Sequence, residues 1–172
     1  MNYAVVKFND IANGEGIRTS LFVSGCQHYC KGCFNSEAWD FNYGKPFDNE
    51  IQEKILKSLD SEWCDGLSLL GGEPFEPKNQ EGLLPFLKEV KKRQPNKKIW
   101  CYTGFTLEEL LGESRAKTEN TLEMLKLIDV LVDGKFEEKL KNLMLVFRGS
   151  SNQRIIDVPR TLNENKVILL DY

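Results

Sequence analysis

The feature that most constrains this chain is an alternation. Short apolar runs read as strands at Ser20–Ser24, Gly66–Leu70, Lys98–Tyr102 and Asp129–Asp133. Helical periodicity lies between them. Ile51, Ile55, Leu56 and Leu59 recur at helical spacing in Asp48–Asp60, with Asp48 as N-cap, and Leu83, Leu84, Leu87 and Val90 do so in Gln80–Arg93. Thr106 and Glu109 form a capping-box pattern, and Thr118–Ile128 reads as a further helix through Leu122, Leu125 and Leu127. "AVVKF" near the start reads as an edge strand, and "LVF" (Leu145–Phe147) and "KVILL" (Lys166–Leu170) as two more. Strand–helix–strand order predicts an α/β fold of mostly parallel strands joined by crossover helices, and 172 residues predict one domain over 1–172.

Sheets of this kind carry their sites beyond the C-terminal ends of the strands. Five polar or glycine-rich segments follow the expected strands: "GCQHYCKGC", "GGEP", "TGF", "DGKF" and "RGSSNQR". They are expected to converge on one rim.

The first segment holds three cysteines, Cys26, Cys30 and Cys33, with His28 among them. The chain has five cysteines, an odd number, and "MNYAVVKFND" has neither the basic nor the apolar region of a signal peptide. A reducing, cytoplasmic setting is expected, so metal binding or catalysis is favoured over disulfides. Thiolates suit zinc, copper(I) or iron–sulfur clusters. A zinc site of three sulfurs and His28 is one candidate, although zinc motifs draw ligand pairs from separated turns. A four-iron cubane is another; three ligands would leave one iron open. Cys64 and Cys101 stand apart and read as buried thiols.

Charge and apolar length each exclude one class of partner. Acidic residues number 26 against 23 basic ones, with no dominant basic block, so no nucleic acid is expected. The run Lys91–Arg93, then Lys97 and Lys98, reads as a helix end and turn. No apolar stretch reaches the roughly 18 residues of a membrane span.

The spacing C-x3-C-x2-C at Cys26, Cys30 and Cys33, with "GGEP" behind the next strand, resembles the signature of the radical S-adenosylmethionine superfamily. "NGEGIRTSLFVSGC", "YTGF", "VLVDGKF" and "RGSSNQRIIDVP" extend the resemblance over nearly the whole chain, toward its small glycyl-radical activating members. The resemblance implies a [4Fe-4S] cluster on the three cysteines, with S-adenosylmethionine on the open iron. It also implies an open, partial (βα) barrel of the radical-SAM type, since a closed eight-stranded barrel needs about 250 residues.

The remaining site residues come with the resemblance. Phe34 stands where members pack against the adenine, with core packing the alternative, and Gly32 and Cys33 are expected to contact the cofactor. Gly71 and Gly72 would let backbone near the ligand, and Glu73 would meet its ammonium. Asp133 and Lys135 match a pair near the methionine carboxylate. Asn152, Gln153 and Arg154 are expected to contact ligand or partner, and His28 becomes a loop residue. The implied reaction yields a 5′-deoxyadenosyl radical that takes a hydrogen atom from a glycine loop of an anaerobic (class III) ribonucleoside-triphosphate reductase. A flavodoxin- or ferredoxin-type donor would supply the electron. The alternatives are another glycyl-radical activase, a deazaguanine-type synthase, or a zinc-bound module without activity.

Overall fold

The computed structural model describes residues 1–172. One seven-stranded sheet runs β3-β1-β2-β4-β5-β6-β7. Its middle is parallel: β2 (Arg18–Val23), β4 (Gly66–Gly71), β5 (Lys98–Tyr102) and β6 (Val130–Asp133). Both flanks are antiparallel. β1 (Asn2–Asp10) pairs with β2, β3 (Lys45–Pro46) pairs with β1, and β7 (Arg154–Asp157) pairs with β6. The sheet is open.

The crossover helices follow from local chemistry. α1 (Asn49–Leu59) starts where the Asp48 carboxylate accepts the Ile51 amide at 3.1 Å. α2 (Pro77–Arg93) begins three residues before the expected Gln80, because Pro77 at its start has no amide to leave unpaired. α3 (Leu107–Leu111) opens on the expected capping box, with Thr106 and Glu109 bonded in both directions. α4 (Thr121–Leu127) starts three residues later than expected. The Thr118 and Thr121 hydroxyls bond to Gln80 Oε1, and the buried face is Met124 and Leu125 while Leu122 is exposed.

Strand alternation sorts the two faces. Leu21, Leu67, Leu69, Ile99, Cys101 and Leu131 point into one core with α1, α2 and α4. Trp100, Val130, Val132 and Ile155 point the other way, joined by Tyr102 and Phe147. Phe147 and Tyr172 pack on Trp100 there, and Tyr102 and Phe147 carry this face to the wall of a cavity.

"AVVKF" lies in β1 and is an edge stretch as expected, because β3 pairs only with Asn2 and Tyr3 before it. Two strand expectations are corrected. Leu145–Phe147 is a loop tied by Asn142, with Phe147 in the left-handed region at φ 55°. Lys166–Leu170 makes only a single bridge, Leu169 to Ile156. The last strand is "RIID", followed by α5 (Val158–Glu164), which Asp157 caps. No helix is long and apolar enough to cross a membrane. The basic run ends α2: Lys91 pairs with Asp129 at 2.7 Å, and Lys97 bonds to the Ser61 and Cys64 carbonyls.

Candidate cluster and cofactor site

The cysteine loop leaves β2 through Gly25, whose φ of +96° no larger residue would adopt without strain. Backbone bonds from Gly25 N–H to the Ala38 carbonyl (2.7 Å) and from Cys26 N–H to the Trp39 carbonyl (3.1 Å) fasten its base. Cys33 N–H donates to the Cys30 carbonyl at 3.1 Å and closes the turn. All three thiols are free and line one cavity of about 450 Å³, within the range of small-molecule sites. Burial pushes the Cys26 thiol up to about 12, against a counteracting His28 backbone N–H. Burial also raises Cys30, while the Phe136 backbone N–H and the Lys135 cation pull it back. Such thiols keep their protons until a metal displaces them.

The donor set suits a cluster better than a single ion. No three His, Cys, Asp or Glu side chains converge as one metal ion requires. The His28 ring is turned from the thiols toward Glu73, at 2.8 Å.

The second segment departs from expectation in detail. Glu73 reaches the cavity wall but is fully buried, and donors already surround its carboxylate. Oε1 accepts the Phe75 amide and the Thr103 hydroxyl, and Oε2 accepts the Gly104 amide and His28 Nε2, each at 2.8 Å. The carboxylate expected to meet an ammonium is spent on its own chain. Gly71 and Gly72 do permit a close approach, but to protein. A Cβ at Gly71 would lie 2.7 Å from Phe22 Cα, and one at Gly72 would lie 2.6 Å from the Gly25 carbonyl.

The fourth and fifth segments also turn inward. Asp133 is buried and accepts the Leu107 amide at 2.8 Å, at the start of α3. Arg154 clamps Asp133 through Nε (3.0 Å) and Nη2 (2.5 Å), and Glu108 through Nη1 (3.0 Å) and Nη2 (2.6 Å). Neither Asp133 nor Arg154 lines the cavity. Asn152 donates to the Lys135 carbonyl at 2.8 Å, and Gln153 to the Gly134 carbonyl at 3.0 Å. These two side chains stitch the "DGKF" loop to the "SSNQR" loop; Gln153 also faces the cavity. Lys135 is exposed beside Cys30.

Phe34 is 85% exposed at the cavity wall, which overturns core packing. Gly32, at φ +74°, lies against the Glu138 side chain, and Lys31 pairs with Glu138 at 3.2 Å. Cys64 and Cys101 are buried away from the cavity.

Sequence reasoning missed Arg148. Of six arginines, Arg93, Arg115, Arg154 and Arg160 pair with carboxylates, and the buried Arg18 bonds to Ser68 and three carbonyls. Arg148 lines the cavity with one bond, to the Gln153 carbonyl, and a buried Nε without a partner. The Tyr102 hydroxyl, in the same wall, is likewise buried and unpartnered. Type alone marks neither residue; only their surroundings do.

A family model described as a 4Fe-4S single cluster domain matches residues 12–156. A protein of Pasteurella multocida is 46% identical over 157 residues, covering 90% of this chain and 96% of its own. One from Escherichia coli K12 is 41% identical over 155 residues, covering 89% and 96%. One from Enterobacteria phage T4 is 39% identical over 155 residues, covering 90% and 93%. Each is named an anaerobic ribonucleoside-triphosphate reductase-activating protein.

Proposed function

Because this chain belongs to the anaerobic ribonucleoside-triphosphate reductase-activating proteins, we propose that residues 1–172 act as one radical-SAM activase domain, a partial barrel open along one side. The protein activates the anaerobic reductase and is built around a 4Fe–4S cluster. Cys26, Cys30 and Cys33 are the cluster's ligands in this reading, and S-adenosylmethionine completes it. The observation that carries the reading is the meeting of three free thiols from one loop on the cavity that Gly71, Gly72 and Arg148 also line. When bound, the cluster and S-adenosylmethionine supply one-electron cleavage of a carbon–sulfur bond and, through it, removal of a hydrogen atom from a glycine of the reductase.

The chain's own residues bind, orient and exclude. The cysteine loop offers its sulfurs around one open cavity, with Cys26 deepest. Arg148, short of a carboxylate partner, suits the methionine carboxylate, which a guanidinium can take with two parallel bonds. Gly72 and Gly104 let the cavity wall pack closely on itself, Gly72 against the Gly25 carbonyl and Gly104 against the His28 ring. Phe34 and Tyr102 offer apolar surface for the adenosyl group. Lys135 sets a cation beside Cys30, where reduction adds negative charge. A flavodoxin- or ferredoxin-type protein is the proposed electron donor.

The test is anaerobic reconstitution with iron and sulfide, then electron paramagnetic resonance of the reduced protein with and without S-adenosylmethionine. A cluster signal that shifts on addition, and a glycyl radical on the added reductase, are expected. A colourless protein that takes up one zinc ion would overturn the reading.

A further inference from the structure

One carboxylate joins three of the loops around the cavity. The four donors to Glu73 come from the cysteine loop (His28), from its own loop after β4 (Phe75) and from the loop after β5 (Thr103 and Gly104). His28 is the cysteine loop's only contribution to this hub. Its side chain is 4% exposed and that of Glu73 is 1% exposed. The ring packs edge-on against Phe105 with centroids 4.4 Å apart. Gly104 leaves it just enough room, since a Cβ there would come within 2.5 Å of the imidazole.

His28 stands two residues from both Cys26 and Cys30, so the ring's position fixes the chain between two thiols. The neighbouring Tyr29 is bulky and in the left-handed region at φ 51°, a conformation that needs surrounding contacts to hold it. The rest of the loop is anchored separately, by Gly25 and Cys26 at its base and by the Gln27 amide on Glu76 at 2.9 Å. Loss of the His28 bond would therefore loosen the loop's orientation without releasing it from the fold.

We propose that His28 is a positioning residue for the radical chemistry. Its hydrogen bond to Glu73 sets the cysteine loop against the loops after β4 and β5, and so sets how the cluster faces S-adenosylmethionine. This rests on the function proposed above. The glutamate of "GGEP" then serves as the fastening point of the cavity rim rather than as a ligand contact.

His28→Leu removes the donor and leaves a buried carboxylate oxygen short of a partner. His28→Gln restores an amide donor at similar reach. Hydrogen–deuterium exchange on the full chain, before cluster loading, should rise roughly ten- to a hundredfold in residues 26–33 and 103–105 together in the leucine variant, from the cost of an unpaired buried acceptor. The glutamine variant should stay near wild type. After reconstitution to equal iron content, the leucine variant should show a weakened spectral response to S-adenosylmethionine and a raised KM for it, with the glutamine variant again rescued. A change confined to residues 26–33, or a glutamine variant as impaired as the leucine one, overturns the proposal. A wild-type protein that holds no cluster, or whose spectrum ignores S-adenosylmethionine, counts against the proposed function instead, while the exchange data still judge the fastening.

Discussion

Arg154 separates a ligand contact from a structural one. The sequence offers it as a guanidinium able to grip a carboxylate with two bonds, without saying whose. In the structure it grips two of the chain's own, Asp133 and Glu108. Those bonds hold its ionisation well above the ordinary arginine range, the bond to Asp133 contributing most. Arg154→Met would leave the Asp133 side chain, 1% exposed, with the Leu107 amide as its remaining partner. Breaking a fully buried ion pair costs about 3–5 kcal/mol. Arg154 is 31% exposed, so water can replace part of the loss, and about 2–3 kcal/mol is expected. Glu108 is 59% exposed and adds little. For a chain of this length the melting temperature should fall by roughly 5–10 °C. Thermal unfolding of Arg154→Met, Asp133→Asn and the double variant measures this. The double variant should be less destabilised than the sum of the two, because each single change removes the same contact. A melting temperature within a degree of wild type, together with weaker binding of S-adenosylmethionine, would refute the structural role.

Three further outcomes follow from the same geometry. Replacing Cys26, Cys30 or Cys33 by alanine should abolish retention of a four-iron cluster, whereas Cys64→Ala and Cys101→Ala should keep wild-type iron and sulfide, at a stability cost of roughly 1 kcal/mol for the fully buried Cys101. Iron and sulfide analysis decides it, and loss of iron from either of the latter two would redraw the ligand set. Arg154 holds the Glu108 carboxyl below its usual range, so this pair's stabilisation is present above the unfolded value of about 4.3 and is lost as pH falls through the folded value. Melting curves from pH 6 to pH 3 should therefore fall more steeply for wild type than for Glu108→Gln, and parallel curves would show that the pair contributes nothing. Lys135→Met removes a cation beside Cys30 and should lower the cluster's reduction potential by a few tens of millivolts, as read by a redox titration; an unchanged potential would place the cation too far away to matter.

What was legible in the sequence was chemistry that depends on residue type over a short span. Three thiols in eight residues limit the ligands they can hold, whatever the fold around them. Asp48 and the Thr106–Glu109 pair announce helix starts because capping is a bond between near neighbours. What stayed hidden depends on partners far along the chain. Nothing local distinguishes a glutamate waiting for an ammonium from one holding four donors, and the donors to Glu73 lie up to 45 residues away. The same holds for Arg154, whose acceptors are 21 and 46 residues distant. The "RIID" strand escaped notice because four residues between polar segments carry too little periodicity to register.

The fifth rim segment shows how a mistaken strand still led to the right place. "RGSSNQR" was expected at the rim as the loop leaving a parallel strand at "LVF". It reaches the rim as the loop entering β7, which runs antiparallel to β6. Reversing a strand exchanges its ends, so the segment before β7 lies beside the segment after β6. Asn152 and Gln153 confirm that adjacency by bonding to the Lys135 and Gly134 carbonyls. The reversal also ends the parallel array. A parallel strand in that place would need another crossover helix and would carry the βα pattern onward toward closure. An antiparallel strand lets the chain turn back after one loop, so the sheet stops open. The loop between, from Glu137 to Gly149, then lies along the cavity with Leu143 and Met144 almost fully exposed. The device that shortens the fold thus also leaves one side of the cavity bounded by a loop instead of by another strand and helix, which suits an enzyme whose substrate is a segment of another protein.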